Sequence, residues 1–496
     1  MQLTATRLSL TTTLWASLAL IATAGLGGAW LGYAEDIDSL GIARSLEAIQ
    51  AGGYERSRVY GVPLYELFAA GMDAVGGLVL VNLGSAVFCA GACYALWQTL
   101  RRAGGPAAPF ALLAAMSQPL ILINASAMME TAAVVLCVCV GLWAAVEAAT
   151  SRRWTWIWIA ATACALGVAS RPDAVLFALA VGFALALEAR PDWHRVVLIL
   201  AAFAVCGLAA LGLYGVMNGG YAFVSQVAVT QDEAGRSFGR AVLGAITVVS
   251  LPGALILAGL TALALKAPRS AARHILAAPP AKRVLVWIAI AAGGLYAARF
   301  LALPDELEYL LPAALAVHAA LGAFAPRAPM IALALCLMLS NIVQIALFTR
   351  QGSEVTFTGP SLQPGALVQD WDARAHNRWL RDPQTTGVLA ALAGVPGAQR
   401  DNTHLWLNGV AFEGGAIAIG QDQLYRFSPT GAAIDPHVLA NYRHVLVCQA
   451  PLVLRRGWRV LQPLEWSPLD PAQLVAGCRR ITPQALPDAA SPSDAG

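Results

Sequence analysis

Three carboxylates stand within four residues at Glu35-Asp36-Ile37-Asp38, directly after the first long apolar run of the chain. Acid at a membrane boundary is costly unless it meets water, a cation or a polar substrate. A carboxylate within hydrogen-bond reach of an acceptor hydroxyl can take its proton, and neighbouring negative charge raises the proton affinity that suits it to that work. The Asp-x-Asp spacing of Asp36 and Asp38 could also hold a divalent cation, Mg or Mn, against a phosphate, because hard cations prefer carboxylate oxygens. As a bare pattern it recurs by chance in long chains; its place just beyond an apolar run gives it weight. The competing reading is a solvated loop between two spans.

More residues with chemical potential follow at intervals. Arg56, Arg58 and Tyr60 precede Pro63-Leu64-Tyr65-Glu66. Arginine forks can grip a phosphate bidentately where lysine cannot, although arginines at a membrane interface also snorkel to headgroups. Glu130 opens a later apolar run, where a carboxylate at a helix start is also favoured by the dipole. Arg171-Pro172-Asp173 joins two more runs and would serve equally as a local ion pair around a proline that restarts a helix. Arg299, Glu306 and Tyr309 surround an acidic turn between Arg299 and Pro312, a mixture suited to a sugar or a lipid phosphate and unneeded in a plain hairpin.

The elements that must position these residues are apolar helices. With 58% hydrophobic residues, 12% charged residues and a mean hydropathy of +0.62, the 496-residue chain falls among polytopic membrane proteins. Its net charge of +3 gives no sign of a polyanionic partner, and no nucleic acid is expected. Runs long enough to cross a bilayer fall at 9–31, 76–99, 106–123, 131–149, 154–170, 174–188, 196–217, 241–265, 284–302, 308–325 and 329–348, about eleven spans. The first is expected to be retained, since the apolar run continues past the weak cleavage site at Ala22-Thr23-Ala24. Arg7, Arg101-Arg102, Arg152-Arg153, Arg190 with Arg195, the cluster from Lys266 to Arg283 and Arg327 alternate onto one side. Positive charge in short loops stays cytoplasmic, so the amino terminus is expected inside and the carboxyl-terminal part outside, with the chemistry-prone residues on the outer face.

Residues 1–349 thus read as a membrane domain, 350–486 as a small soluble α/β domain outside the membrane, and 487–496 as a disordered tail rich in Pro, Ser, Asp and Ala. Seven cysteines lie in apolar runs, where cysteine behaves as a small hydrophobe. Cys448 and Cys478 are alone in the outer domain, and in an oxidising compartment such a pair is expected to form a disulfide. The histidines of that domain show no metal-ligand spacing, and no nucleotide-binding or hydrolase fingerprint occurs.

The motifs in order resemble the GT-C class of membrane glycosyltransferases, over roughly residues 10–350. The resemblance rests on Glu35-Asp36 with Asp38, on Arg58-x-x-Gly61-x-Pro63-Leu64-Tyr65-Glu66, on Ser170-Arg171-Pro172-Asp173, and on Pro304-x-Glu306-x-x-Tyr309-Leu310-Leu311-Pro312. Gly61-Val62-Pro63 departs from the Pro-Gly-x-Pro that related chains often carry. The resemblance implies a GT-C-like helical fold in a bacterial inner membrane and an inverting transfer from a polyprenyl-phosphate-linked sugar to an envelope glycan, lipid or protein. It implies Asp36 as general base with Asp38 or Glu35 assisting, the choice among the three staying open. Arg56, Arg58, Arg171 and Arg299 would hold the donor phosphate, and Tyr60, Tyr65, Glu66, Glu130, Glu306 and Tyr309 would touch sugar or acceptor. A secondary transporter would place buried charge at the bilayer midplane within repeated halves, and neither feature occurs in the sequence. A non-catalytic envelope-assembly protein would be indifferent to loss of Asp36.

Overall fold

The computed structural model describes residues 9–32, 37–57, 61–190, 192–221, 238–302, 307–351, 354–372 and 374–375, with the strand backbones at 403–408, 427–429, 444–449 and 478–481. The described part is mostly helical. Helices α1 (Leu10–Gly28), α2 (Ile37–Gln50) and α3 (Pro63–Ala103) are followed by α4 (Ala108–Met116), α5 (Pro119–Asn124), α6 (Thr131–Ser151), α7 (Trp154–Ser170), α8 (Val175–Ala189) and α9 (Trp193–Met217). Then come α10 (Phe238–Val249), α11 (Leu251–Lys266), α12 (Pro268–Leu276), α13 (Pro280–Ala302), α14 (Leu311–Phe324) and α15 (Arg327–Ser340).

Their boundaries follow local chemistry. Ser9 caps α1, its hydroxyl accepting from Thr12 N at 3.0 Å, and Asp192 caps α9 by accepting from Arg195 N at 3.1 Å. Prolines sit at or near the first helical position of α3, α4, α5, α11 and α12, where the missing N–H costs nothing. Helix α3, at 41 residues, is too long for one straight crossing and is broken at Gly76-Gly77, where Gly77 takes φ 65°. Pro119 splits the run expected at 106–123 into α4 and α5, with Ser117 and Gln118 between them.

Among the described residues seven helical segments are long and apolar enough to cross a membrane, or eight if the bent pair α11–α12 counts as one span. The protein is a multi-pass membrane protein. Of the other expected spans, α7 has 17 residues and α15 has 14. The last one ends sooner than its apolar run: helix stops at Ser340, and Val343–Gln351 is strand β1, paired with β2 (Glu354–Pro364). Polar Asn341 and Gln344 interrupt the run, and Asn341 instead donates to Ser117 O and Leu337 O, each at 2.8 Å.

Helix α6 packs against α3 and α7, and α13 against α8 and α14. Small residues make the closest approaches. A Cβ at Gly25 would stand 2.5 Å from Ala86 Cβ, and one at Gly322 would stand 2.6 Å from Leu100 Cδ2. Lipid tails are as apolar as leucine, so helices in a membrane gain from such backbone proximity rather than from escaping water. Away from the residues singled out for chemistry, Glu188 of α8 receives Arg283 Nε at 3.0 Å, Arg283 Nη2 at 2.7 Å and Trp287 Nε1 at 3.1 Å, tying α8 to α13.

The chain divides into two compact units, one comprising 1–30, 45–370 and 458–463, the other 31–44, 371–457 and 464–496. The β1–β2 hairpin goes with the first. In the second, β3 (Thr403–Asn408), β4 (Phe427–Pro429), β5 (His444–Gln449) and β6 (Cys478–Ile481) form a mixed sheet in the order β4-β3-β5-β6. Strand β3 is parallel to both neighbours and β6 is antiparallel to β5. Residues 376–402, expected to continue a helix into short strands, lie outside the described residues.

The β5–β6 register sets Cys448 directly opposite Cys478. Directly opposed residues of an antiparallel pair have Cα atoms about 4.5–5.5 Å apart, a separation that a disulfide spans. Protein from an oxidising compartment is expected to resist alkylation at both thiols until it is reduced. Reduction should destabilise the sheet by about 3 kcal/mol for a closed loop of this length. Two freely alkylated thiols would refute the bond.

Candidate functional site

Helix α3 begins at Pro63, and Glu66 falls in its first turn, where a carboxylate is stabilised by the exposed N–H groups and the positive end of the dipole. Glu66 is fully buried. Its Oε2 accepts from the Tyr54 hydroxyl at 2.5 Å and its Oε1 accepts from Ser57 N at 3.0 Å, folding the segment before the helix back onto the helix start. Burial and the adjacent Glu66 push the Tyr54 phenol well above its ordinary pKa, so it stays neutral and donates. Arg56 is exposed on the same segment.

Gly61 completes this turn. It has φ +66°, and a Cβ there would lie 2.5 Å from the Tyr54 hydroxyl. Gly61→Ala is therefore expected to cost about 1–2 kcal/mol from the left-handed backbone alone, and more if Tyr54 is driven off Glu66. A thermal melt of the purified protein checks it; an unchanged midpoint would mean that the turn yields without cost.

A second network assembles from three separate stretches. Glu130 immediately precedes α6 and is fully buried. Arg171 ends α7 with extended backbone, the conformation a following proline imposes, and is 2% exposed. Its Nε donates to Asp173 Oδ1 at 2.8 Å, while its Nη1 donates to Thr131 Oγ1 at 3.1 Å and lies 3.5 Å from Glu130 Oε1. Its guanidinium stands 4.9 Å from the centre of the Tyr309 ring. Arg299, from the last turn of α13, sits the same 4.9 Å from that ring, and its Nη2 donates to the Tyr309 hydroxyl at 3.3 Å. Tyr296, one turn earlier on α13, donates to the backbone carbonyl of Asp173 at 3.1 Å.

Tyr65, beside Glu66 in sequence, is fully buried, and its hydroxyl lies 3.4 Å from Ser85 Oγ. Buried Glu130 and Arg171 thus share one patch with half-buried Asp173 and Arg299, both arginines standing against the Tyr309 ring. Buried charge is retained only when paired and hydrogen-bonded, and within a membrane such groups mark functional sites by default. The arrangement can present cationic and phenolic donors to an anion while its own carboxylates hold those donors in place.

The structure therefore brings Glu130, Arg171, Arg299 and Tyr309 together, while Tyr65 and Glu66 lie buried in the first turn of α3. Glu35, Asp36, Arg58, Tyr60 and Glu306 lie outside the described residues, and of Asp38 only the helical backbone is described. Among the described residues no three His, Cys, Asp or Glu side chains form a metal-binding group. The sequence reading singled out Arg171 with Asp173 but passed over Tyr296. Its only signal was spacing, since Tyr296 and Arg299 stand i, i+3 on one helix and so share a face.

The fold and this patch define a multi-pass helical membrane protein with paired charges buried where helices begin and end. Residues 63–213 match the family model of the dolichyl-phosphate-mannose-protein mannosyltransferases, a stretch that contains Tyr65, Glu66, Glu130, Arg171 and Asp173. The match bears out the resemblance to GT-C class membrane glycosyltransferases drawn from the motifs. Among solved structures the chain is similar to the arabinosyltransferase EmbB from Mycobacterium smegmatis, with 16% identity, a TM-score of 0.41 and 81% of this chain covered. It spans only 35% of the length of that protein. No curated protein sequence matches the chain.

Proposed function

We propose that this protein transfers a sugar from a polyprenyl-phosphate-linked donor to an acceptor hydroxyl on an envelope glycan, lipid or protein, at the outer face of a bacterial inner membrane. The family match over 63–213 supports the reaction class. The observation that carries the site is the buried Glu130–Arg171–Asp173 network set against Tyr309 and Arg299.

In this reading Arg299, with Arg58 and Arg56, offsets the negative charge that grows on the lipid phosphate as it leaves, the term that dominates in many transfer reactions. Asp36, with Asp38 or Glu35 beside it, takes the proton of the acceptor hydroxyl as that oxygen attacks the anomeric carbon. Attack opposite the departing phosphate inverts the configuration. Tyr309 and Glu306 contact sugar or acceptor. Arg171, engaged by Asp173, Thr131 and Glu130, holds the Tyr309 ring from the face or edge it meets and so sets the position of Arg299. Glu66 fixes the segment that carries Arg56 and leads into Arg58.

Full-length protein in lipid nanodiscs, given a polyprenyl-phosphate sugar and an acceptor, tests the reading. Arg299→Ala is expected to weaken donor binding by about 10- to 100-fold, the loss of one hydrogen bond to a charged group, and to lower turnover with it. Donor affinity untouched by that change would remove Arg299 from the phosphate site. Absence of any transfer from polyprenyl-phosphate sugars by the intact protein would overturn the donor class.

A further inference from the structure

The segment from Lys266 to Arg283 carries five Lys or Arg and no Asp or Glu. Within it, α12 turns 92° away from α11, after a break of one residue at Ala267. At 100° per residue Arg269, Ser270, Arg273 and His274 fall on one face, and Ala271, Ala272, Ile275 and Leu276 on the other. No residue of α12 is buried, Ala272 and Leu276 are exposed (Leu276 by 59%) and Ala271 and Ile275 are half-exposed, so the protein covers the apolar face only in part.

The level of α12 relative to the spans is fixed by a separate set of contacts. Phe324 ends the span Leu307–Phe324, so it marks a membrane boundary. The His274 ring lies 5.9 Å from the Phe324 ring, edge to face. Lys282 Nζ stands 5.8 Å from the centre of the same ring and donates to Ala323 O at 3.3 Å. A short basic helix at right angles to a membrane span, at the height where the neighbouring span ends, has an apolar face suited to acyl chains and cations suited to phosphate headgroups.

We propose that α12 lies in the membrane interface and binds the anionic lipid surface of that leaflet, with Ile275 and Leu276 inserted and Arg269 and Arg273 on the headgroups. Anionic lipid is the occupant that the charge favours, because a stretch with five cations and no acid gains little from a neutral surface beyond burial of its apolar face. The interaction is independent of the sugar-transfer reading, as it uses no residue of the outer-face networks.

Amide hydrogen exchange over 268–276 tests it, on the full chain in nanodiscs of phosphatidylcholine alone or of phosphatidylcholine mixed with phosphatidylglycerol. Exchange is expected to be slower in the phosphatidylglycerol discs. Arg269→Gln with Arg273→Gln should remove that difference, at roughly fivefold in partitioning per arginine. Ile275→Ser with Leu276→Ser should speed exchange in both lipids; these are exposed or half-exposed positions, so the spans should fold unchanged. Equal exchange of the wild-type helix in the two lipids would overturn the preference for anionic lipid. Protection that survives the Ile275 and Leu276 changes would overturn interfacial insertion and leave a helix held by protein, as in a re-entrant loop.

Discussion

Asp36→Asn is expected to lower turnover by about 100- to 10,000-fold, the range that a positioned general base contributes, while donor affinity stays unchanged. The substitution keeps side-chain volume and most hydrogen bonds and removes only the capacity to accept a proton. Donor binding survives because the lipid phosphate is assigned to arginines, which Asp36→Asn does not touch. The contrast with Arg299→Ala, which should weaken binding and turnover together, separates a base from a phosphate ligand. Measuring donor affinity apart from the transfer rate reads both. Near-normal turnover in Asp36→Asn would move the base to Asp38 or Glu35, and full activity in Asp38→Asn and Glu35→Gln as well would leave the acidic stretch a solvated loop.

Arg171→Ala is expected to destabilise the protein by about 3–5 kcal/mol, the cost of breaking a buried ion pair by removing one partner. Glu130 is fully buried and would lose its cationic partner, while Asp173 would lose its 2.8 Å contact. Glu130→Gln should cost less, since Arg171 keeps Asp173 and Thr131. The double variant should be more stable than the sum of the two singles predicts, because the residues share one network and their effects do not add. Thermal melts of the four proteins in one detergent give the cycle. Were Arg171 instead a direct phosphate ligand, Arg171→Ala would melt like the wild type and lose donor affinity. That outcome would restore the role that the resemblance alone implies for it.

Composition alone established a multi-pass helical membrane protein, because a helix across hydrocarbon must be apolar for most of its length and this requirement is written residue by residue. The motif order Tyr65-Glu66, Glu130, Arg171-Asp173, Arg299, Tyr309 was legible for the same reason, since charge at the ends of apolar runs stands out against its surroundings. Sequence likewise placed Cys448 and Cys478 alone in one domain; their position opposite one another depends on the pairing of β5 with β6, which only the sheet register reveals.

Breaks in helices were less legible. The end of α15 at Ser340 and the interruption at Ser117-Gln118 are joined by the hydrogen bond from Asn341 to Ser117 O, whose partners lie 224 residues apart. Hydropathy averages over such sites, so the apolar run to 348 read as one span. The right-angled turn into α12 is similar: its two-faced pattern is local, but its height beside Phe324 comes from the packing of α14.

Contacts within the charged patch were decided only by tertiary structure. Arg171 and Arg299 carry the same side chain at similar boundaries, and only the neighbouring Pro172-Asp173 marks Arg171 locally. Packing gives Arg171 two carboxylates and a threonine hydroxyl as neighbours, and it gives Arg299 the Tyr309 hydroxyl. Sequence fixed which residues carry charge and in what order they enter the membrane boundary. Which buried charges neutralise one another depended on Glu130 and Arg171 meeting across the chain, and that follows from how α6 and α7 pack rather than from any local pattern.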